Sequence, residues 1–169
     1  MTAALLAACQ GPVGHGLAAQ APGAPAGQTV SRTLPVASAG DTAAQAADLR
    51  VFLADTKAHP GWTPVPLKPS GLLYVRTDAI IDRSDLMGIQ SASDQNGGGI
   101  LVLVLKDEGL AKLRAATAAH PGLRLALVVD KIMLAAPAYA APIRQQQLAF
   151  GVGSVHNAEL AARSVAGVR

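Results

Sequence analysis

Aromatic side chains are scarce in this chain: they make up 3% of its 169 residues, and Trp62 is its one tryptophan. Single-stranded nucleic acid is held by rings on which bases stack, and duplexes by a stripe of Lys and Arg. Neither is present, because the 14 basic and 11 acidic residues are scattered without runs and the formal net charge is only +3. Cysteine is scarcer still. With Cys9 alone, an intramolecular disulfide and a cysteine-built zinc cluster are both excluded. Long apolar runs are missing as well: stretches such as Ile100 to Leu105 fall far short of the roughly 20 residues that cross a bilayer as a helix.

What is present is a chain that is 50% hydrophobic, so one domain of ordinary size can bury a core, built from Ala, Val, Leu and Ile in place of rings. Leu6-Ala7-Ala8-Cys9 resembles a bacterial lipobox. That resemblance implies lipid attachment at Cys9 and removal of residues 1–8. Met1 to Ala8 carries no Lys or Arg and is short for a secretory signal, so either the true start lies upstream or Cys9 is a chance cysteine in an alanine-rich tail. Residues 1–9 are accordingly read as the remnant of a signal and lipobox. Residues 10–40, rich in Gly, Ala, Pro and Gln with Arg32 as the one fixed charge, are read as a disordered linker that cannot bury enough surface to offset its ordering entropy. The folded domain is assigned to residues 41–169.

Within it, Leu49 to Leu53 suits a strand with one well-buried face, against a competing helix begun at Thr42. His59-Pro60-Gly61 and Pro64, Pro66 and Pro69 punctuate a loop. Leu72 to Val75 reads as a short strand, Asp82 to Met87 as one helical turn, and Asp94 to Gly99 as the clearest turn in the chain, since Asn-Gly accepts positive φ. Ile100 to Leu105 has the length and composition of a buried strand. Asp107 is expected to cap a helix whose Leu110, Leu113 and Thr117 share one face, with Glu108 and Lys112 paired at four-residue spacing, and His120-Pro121-Gly122 stops it. Leu123 to Val129, Ile132 to Ala135 and Leu148 to Val152 follow as strands, the first two joined by a turn at Asp130-Lys131. Ser154 caps a closing helix with Val155, Leu160 and Val165 as inward candidates. Strands interleaved with two helices predict an α+β fold: a mixed or largely antiparallel sheet with both helices packed on one face.

The ordered set from Gly99 onward carries more than its parts. A strand runs into Asp107-Glu108-Gly109, a helix ends at Thr117, and Leu125 to Asp130, Ala136-Pro137, Pro142-Ile143 and a Gly151-to-Ala162 ending follow in turn. With Leu72-Tyr74-Val75 and Asp82 to Leu86 ahead of them, these residues resemble the head of the first periplasmic domain of the protein-export membrane protein SecD. The family usually has glycine where this chain has Lys131. The resemblance implies a domain that contacts exported polypeptide, here without the family's ion-coupled membrane helices and standing alone as a lipoprotein.

Gly97-Gly98-Gly99 is followed by no Gly-Lys-Ser/Thr and precedes a strand, so it is a turn and not a phosphate loop. His15, His59, His120 and His156 lack ligand spacing. Ser154, His156 and Asp130 supply the residue types of a hydrolase triad, but Ser154 lacks the flanking glycine of a nucleophile elbow and its capping role accounts for it. Asp82 and Asp85 read as solvated carboxylates in a polar stretch.

The remaining candidate is Ala135 to Ile143, where prolines point to a sheet edge and small side chains leave room for an extended peptide to add as a strand. A crossover loop whose prolines discourage aggregation is the plainer reading of the same residues. The sequence therefore points to a non-enzymatic, periplasmic domain, lipid-anchored to a bacterial membrane through Cys9. It would take no cofactor or metal and would bind polypeptide through Pro137, Tyr139, Pro142 and Ile143, as an accessory to protein export. Its rivals are an envelope lipoprotein that docks one folded partner and, behind that, a small hydrolase.

Overall fold

Burial alternates along β6 (Gly98–Leu105), an unbroken apolar run after two glycines, and along β9 (Gln147–Ser154), where large apolar side chains alternate with small or polar ones; Leu101, Leu103, Leu105, Leu148, Phe150 and Val152 are buried. The structure, a computed structural model, describes residues 34–35, 46–67 and 71–168. β6 is central to a four-stranded antiparallel sheet in the order β1 (Leu34–Pro35), β5 (Leu86–Ser93), β6, β9. A second antiparallel sheet runs in the order β3 (Thr63–Pro66), β4 (Leu72–Asp82), β2 (Leu49–Asp55), β7 (Arg124–Val129), β8 (Ile132–Ala135). Two helices complete the fold, α1 (Asp107–Ala119) and α2 (Val155–Ala166).

The α+β class is as the pattern predicts, with the strands divided between two sheets that curl toward one another. β8 and β9, the neighbouring edges of the two sheets, approach without pairing. Between the sheets lies one core, in which Leu49, Val51, Leu53, Leu125 and Leu127 meet Ile89, Leu101, Leu103 and Phe150. Each fully buried Leu or Ile there contributes about 1.5–3 kcal/mol. α2 packs on β5, β6 and β9 through Ala158, Ala161, Ala162, Val165 and Ala166, small residues that let the helix come close to the sheet. α1 lies against β4 and β6, and buries Leu113 and Thr117.

β7 is covered on both faces from Leu125 to Leu127, and β2 over Leu53 and Ala54, so there the burial is continuous; at the start of β2 Arg50 is exposed and the pattern alternates. On the outer face Phe52, Ala54, Leu73, Val75 and Ala126 form a smaller second cluster.

Several details differ from the sequence expectation. Thr63–Pro66 is a strand despite its prolines. It is the edge of its sheet and pairs only with β4, so Pro64 and Pro66 cost no ladder bond that a central strand would need. β5 is a full strand whose glycine, serine and glutamine obscured it, and β4 runs to Asp82, well past Val75. Leu34–Pro35, inside the stretch expected to be linker, pairs with β5 at Ile89 and Gly88. Asp107 is the first helical residue of α1 and not its cap; Lys106 holds the cap position with no side-chain capping bond, its ammonium donating to the Ser84 carbonyl instead. Lys112 turns from Glu108 to Asp85, and Leu160 is half exposed on the outer side of α2.

Candidate functional site

After β8 the chain crosses from one sheet to the other. Its first residues continue alongside β7: the Leu125 amide donates to the Pro137 carbonyl at 2.9 Å, and the Tyr139 amide donates to the Leu123 carbonyl at 3.0 Å. This is an antiparallel bridge between Arg124 and Ala138, and its geometry aims the amide and carbonyl of Ala138 away from β7. The Arg124 guanidinium, folded back along the strand, donates to the Ala136 carbonyl at 2.9 Å.

Beyond Tyr139 the chain reaches α1. Thr117, fully buried, donates its hydroxyl to the Leu113 carbonyl at 2.8 Å and accepts from the Ile143 amide at 3.1 Å. One side-chain oxygen thus satisfies a loop amide that no strand reaches. The Gln146 carbonyl then accepts from the Leu105 amide at 2.8 Å, and its side-chain amide donates to Asp107, delivering the chain to β9.

The four residues singled out in the sequence fall on this crossover with different surroundings. Pro137 and Pro142 are exposed; Tyr139 and Ile143 are half-buried and pack against the main core. The Tyr139 hydroxyl donates to the His120 carbonyl at the end of α1, and burial raises its pKa above the usual phenol value. The segment is both the crossover and a sheet edge: its inner backbone groups are engaged, and its outer ones face solvent. Cys9 lies outside the described residues.

Beside this edge is a feature the sequence did not disclose. β8 and α2 flank a cleft of about 270 Å³ lined by Val129, Asp130, Ile132, Leu134, Leu160 and Ala161, among others. Ile132 is 64% exposed and Leu160 49%, unusual for large aliphatic side chains. Only the fold brings them to one cleft, since 28 positions separate them in sequence (160 − 132).

The other chemical candidates are structurally occupied. Ser154 Oγ accepts from the Asn157 amide at 3.2 Å as the cap of α2, and Asp130 Oδ1 accepts from the Asp48 amide at 2.9 Å; among the described residues no hydrogen bond joins Ser154, His156 and Asp130. Asp82 and Asp85 form a capping box around the short 3₁₀ turn Arg83–Asp85. Asp82 accepts from the Ser84 amide at 2.7 Å and from its hydroxyl, which holds its carboxyl below the usual range. Asp85 is buried, not solvated as its polar neighbourhood suggested. It accepts from the Asp82 amide at 3.1 Å and from Lys112 Nζ at 2.7 Å, and that bond raises the pKa of Lys112. No group of three or more His, Cys, Asp or Glu able to hold a metal ion occurs among the described residues, and no described helix is long and apolar enough to cross a membrane.

No family model and no curated protein matches the chain. Solved structures share its fold, two of them of SecDF. One is a crystal structure of SecDF in its super-membrane-facing form, and the other is a structure of SecDF described as a membrane component that enhances protein export. Each is 22% identical, with a TM-score of 0.57 over 73% of this chain. The match covers 19% of the first structure's chain and 64% of the second's, so in both cases it accounts for less than two thirds of the protein compared. The chain has a SecD-like fold.

Proposed function

We propose that this chain is a non-catalytic, extracytoplasmic domain equivalent to the SecD head, that it binds extended segments of polypeptide, and that it serves as an accessory to protein export. Its anchor is lipid on Cys9, which holds it at the periplasmic face of a bacterial membrane. The likeness to SecDF supports the export setting. The observation that carries polypeptide binding is the edge from β8 to Tyr139, bonded to β7 on one side with Ala138 facing outward on the other, next to an apolar cleft. A strand added there gains main-chain hydrogen bonds from the edge and lodges alternate side chains between Ile132 and Leu160. Affinity is weak, because the edge offers Tyr139 as its single aromatic anchor.

A photo-crosslinking residue in place of Pro137 or Pro142, in intact cells, tests the reading. Capture of many unfolded or exported polypeptides supports it. Capture of one folded protein at fixed stoichiometry replaces it with the docking-module alternative, which the exposure of Ile132 and Leu160 equally favours. Metabolic labelling with a fatty-acid analogue, compared with Cys9→Ser, tests the anchor: label retained in the variant, or missing from both, ends the lipoprotein reading.

A further inference from the structure

The loop between β2 and β3 holds a cluster that neither the fold nor the edge site uses. Asp55 ends β2 with a side chain 16% exposed, and its Oδ2 lies 2.7 Å from His59 Nε2. His59 is followed by Pro60 and Gly61, and the Trp62 amide donates back to the His59 carbonyl at 3.2 Å. With proline second and Gly61 at φ 78°, this is a type II turn. The turn brings the His59 ring to 4.4 Å from the Trp62 ring, tilted by 32°. Trp62 in turn packs on the main core and leads directly into the edge strand β3.

The geometry points to a pH-dependent latch. Protonation of His59 closes the Asp55–His59–Trp62 cluster and fastens the β2–β3 loop and the β3 edge to the domain, and deprotonation loosens it. The protonated imidazole faces a carboxylate on one side and an indole on the other, so it gains both an ion pair and a cation–π contact. The neutral ring keeps one hydrogen bond. Histidine is the side chain suited to this, since its charge changes near neutral pH.

The surrounding charges do not override the pair. Lys57, exposed in the same loop, meets Asp55 through its backbone amide at 3.2 Å and not through its ammonium. From β4, Tyr74 stands opposite Asp55, while Arg76 pairs with Asp78. From β7, Arg124 stands opposite Ala54 and is bonded to Ala136. His59 lowers the carboxyl of Asp55 below its ordinary range. A lowered carboxyl contributes stability that is complete above its unfolded value and is lost as pH falls through its folded one. The latch is therefore tightest in mildly acidic solution. It weakens above, where the imidazole loses its proton, and again in strong acid, where Asp55 gains one.

Because Trp62 is the single tryptophan, the intact chain reports on its own latch. Its emission and its quenching by acrylamide are followed between about pH 8 and about pH 5. The expected result is one step in emission, with Trp62 less accessible to acrylamide at the acidic end. Asp55→Asn is expected to shrink the difference in acrylamide access between the two ends, because the protonated ring then has no carboxylate to close on; His59→Gln is expected to abolish the step. A step that survives His59→Gln, a difference in acrylamide access undiminished in Asp55→Asn, or equal access at both ends in the unsubstituted chain overturns the proposal.

Discussion

The hairpin joining β5 to β6 closes on residues that carry their own turn chemistry, whereas the hairpin joining β7 to β8 closes on two that do not. In the first, Asp94 Oδ1 accepts from the amides of Asn96 and Gly98 at 2.8 and 2.7 Å, and Gly97 takes the positive φ of 78° without a Cβ to oppose it. In the second, Asp130 and Lys131 both sit at positive φ, 47° and 68°, the pattern of a type I′ turn that Asn-Gly would satisfy with less strain. A left-handed residue other than glycine costs about 1–2 kcal/mol, less for Asp. The turn is held from a distance: the Asp130 amide donates to the Asp48 carbonyl, and the Asp48 amide to Asp130 Oδ1, both at 2.9 Å and across 82 residues. A turn without glycine is thus held by a tertiary clamp that offsets its strain. A local turn forms wherever its residues meet; the clamped one exists only when β2 is already in place.

Substitutions can break or sharpen that contrast. The largest effect is expected from Gly99→Ala, just past the first turn. Its new Cβ would overlap the Ser154 carbonyl across the β6–β9 pair, where backbone must give, at a cost of about 3 kcal/mol or more by denaturant unfolding. A loss under about 1 kcal/mol would mean that this end of the sheet is looser than its geometry.

Next is Thr117→Val, which keeps the shape of the buried side chain but leaves the Ile143 amide without its acceptor. About 2 kcal/mol is expected, with faster amide exchange at Ile143 as the specific reading. Exchange unchanged at Ile143 would show that the crossover after the second hairpin does not depend on α1.

At the clamp itself, Asp130→Ala loses the acceptor for Asp48 and keeps the strain, and should cost about 1–2 kcal/mol. Asp130→Gly loses the same acceptor but relieves the strain, and should cost less. Equal costs would locate the effect in the hydrogen bond alone. Lys131→Gly relieves strain without touching the clamp and should raise stability by about 0.5–1 kcal/mol. If it destabilises, Lys131 contributes an interaction that outweighs its backbone.

The smallest effect is expected from a chain beginning at Asp41, which removes the β1 pair with β5 and everything before it. Its melting temperature should stay within a few degrees of the full chain, about 1 kcal/mol for a domain of this size. A larger fall would give the amino-terminal stretch a packing role.

Legibility followed the same division. The Asp94–Gly99 turn, β6, β9, Ser154 as the cap of α2 and the stop after Ala119 were readable, because each is written in neighbouring residues: an Asn-Gly turn, a short apolar run, a hydroxyl three places before the amide it accepts from, a Pro-Gly breaker. β3 and β5 were not, since a strand's tolerance for proline or glycine depends on whether it lies at an edge or beside a covering helix. For the Ala135 to Ile143 segment the prolines left two readings, a sheet edge and a crossover loop. That its inner groups meet Leu123, Leu125 and Thr117 depends on partners brought close only by folding.

The sequence by itself determined the α+β class, the order of the main elements and the apolar set that forms the core. Local propensity and periodicity act over a few residues and need no partner to be expressed. Only the tertiary structure decided that the strands form two sheets, that a turn without glycine is held by Asp48, and that Ile132 and Leu160 open a cleft beside the edge. Each of those joins residues far apart in the chain, where the entropy of closing the loop between them is met only by the packing of the whole domain.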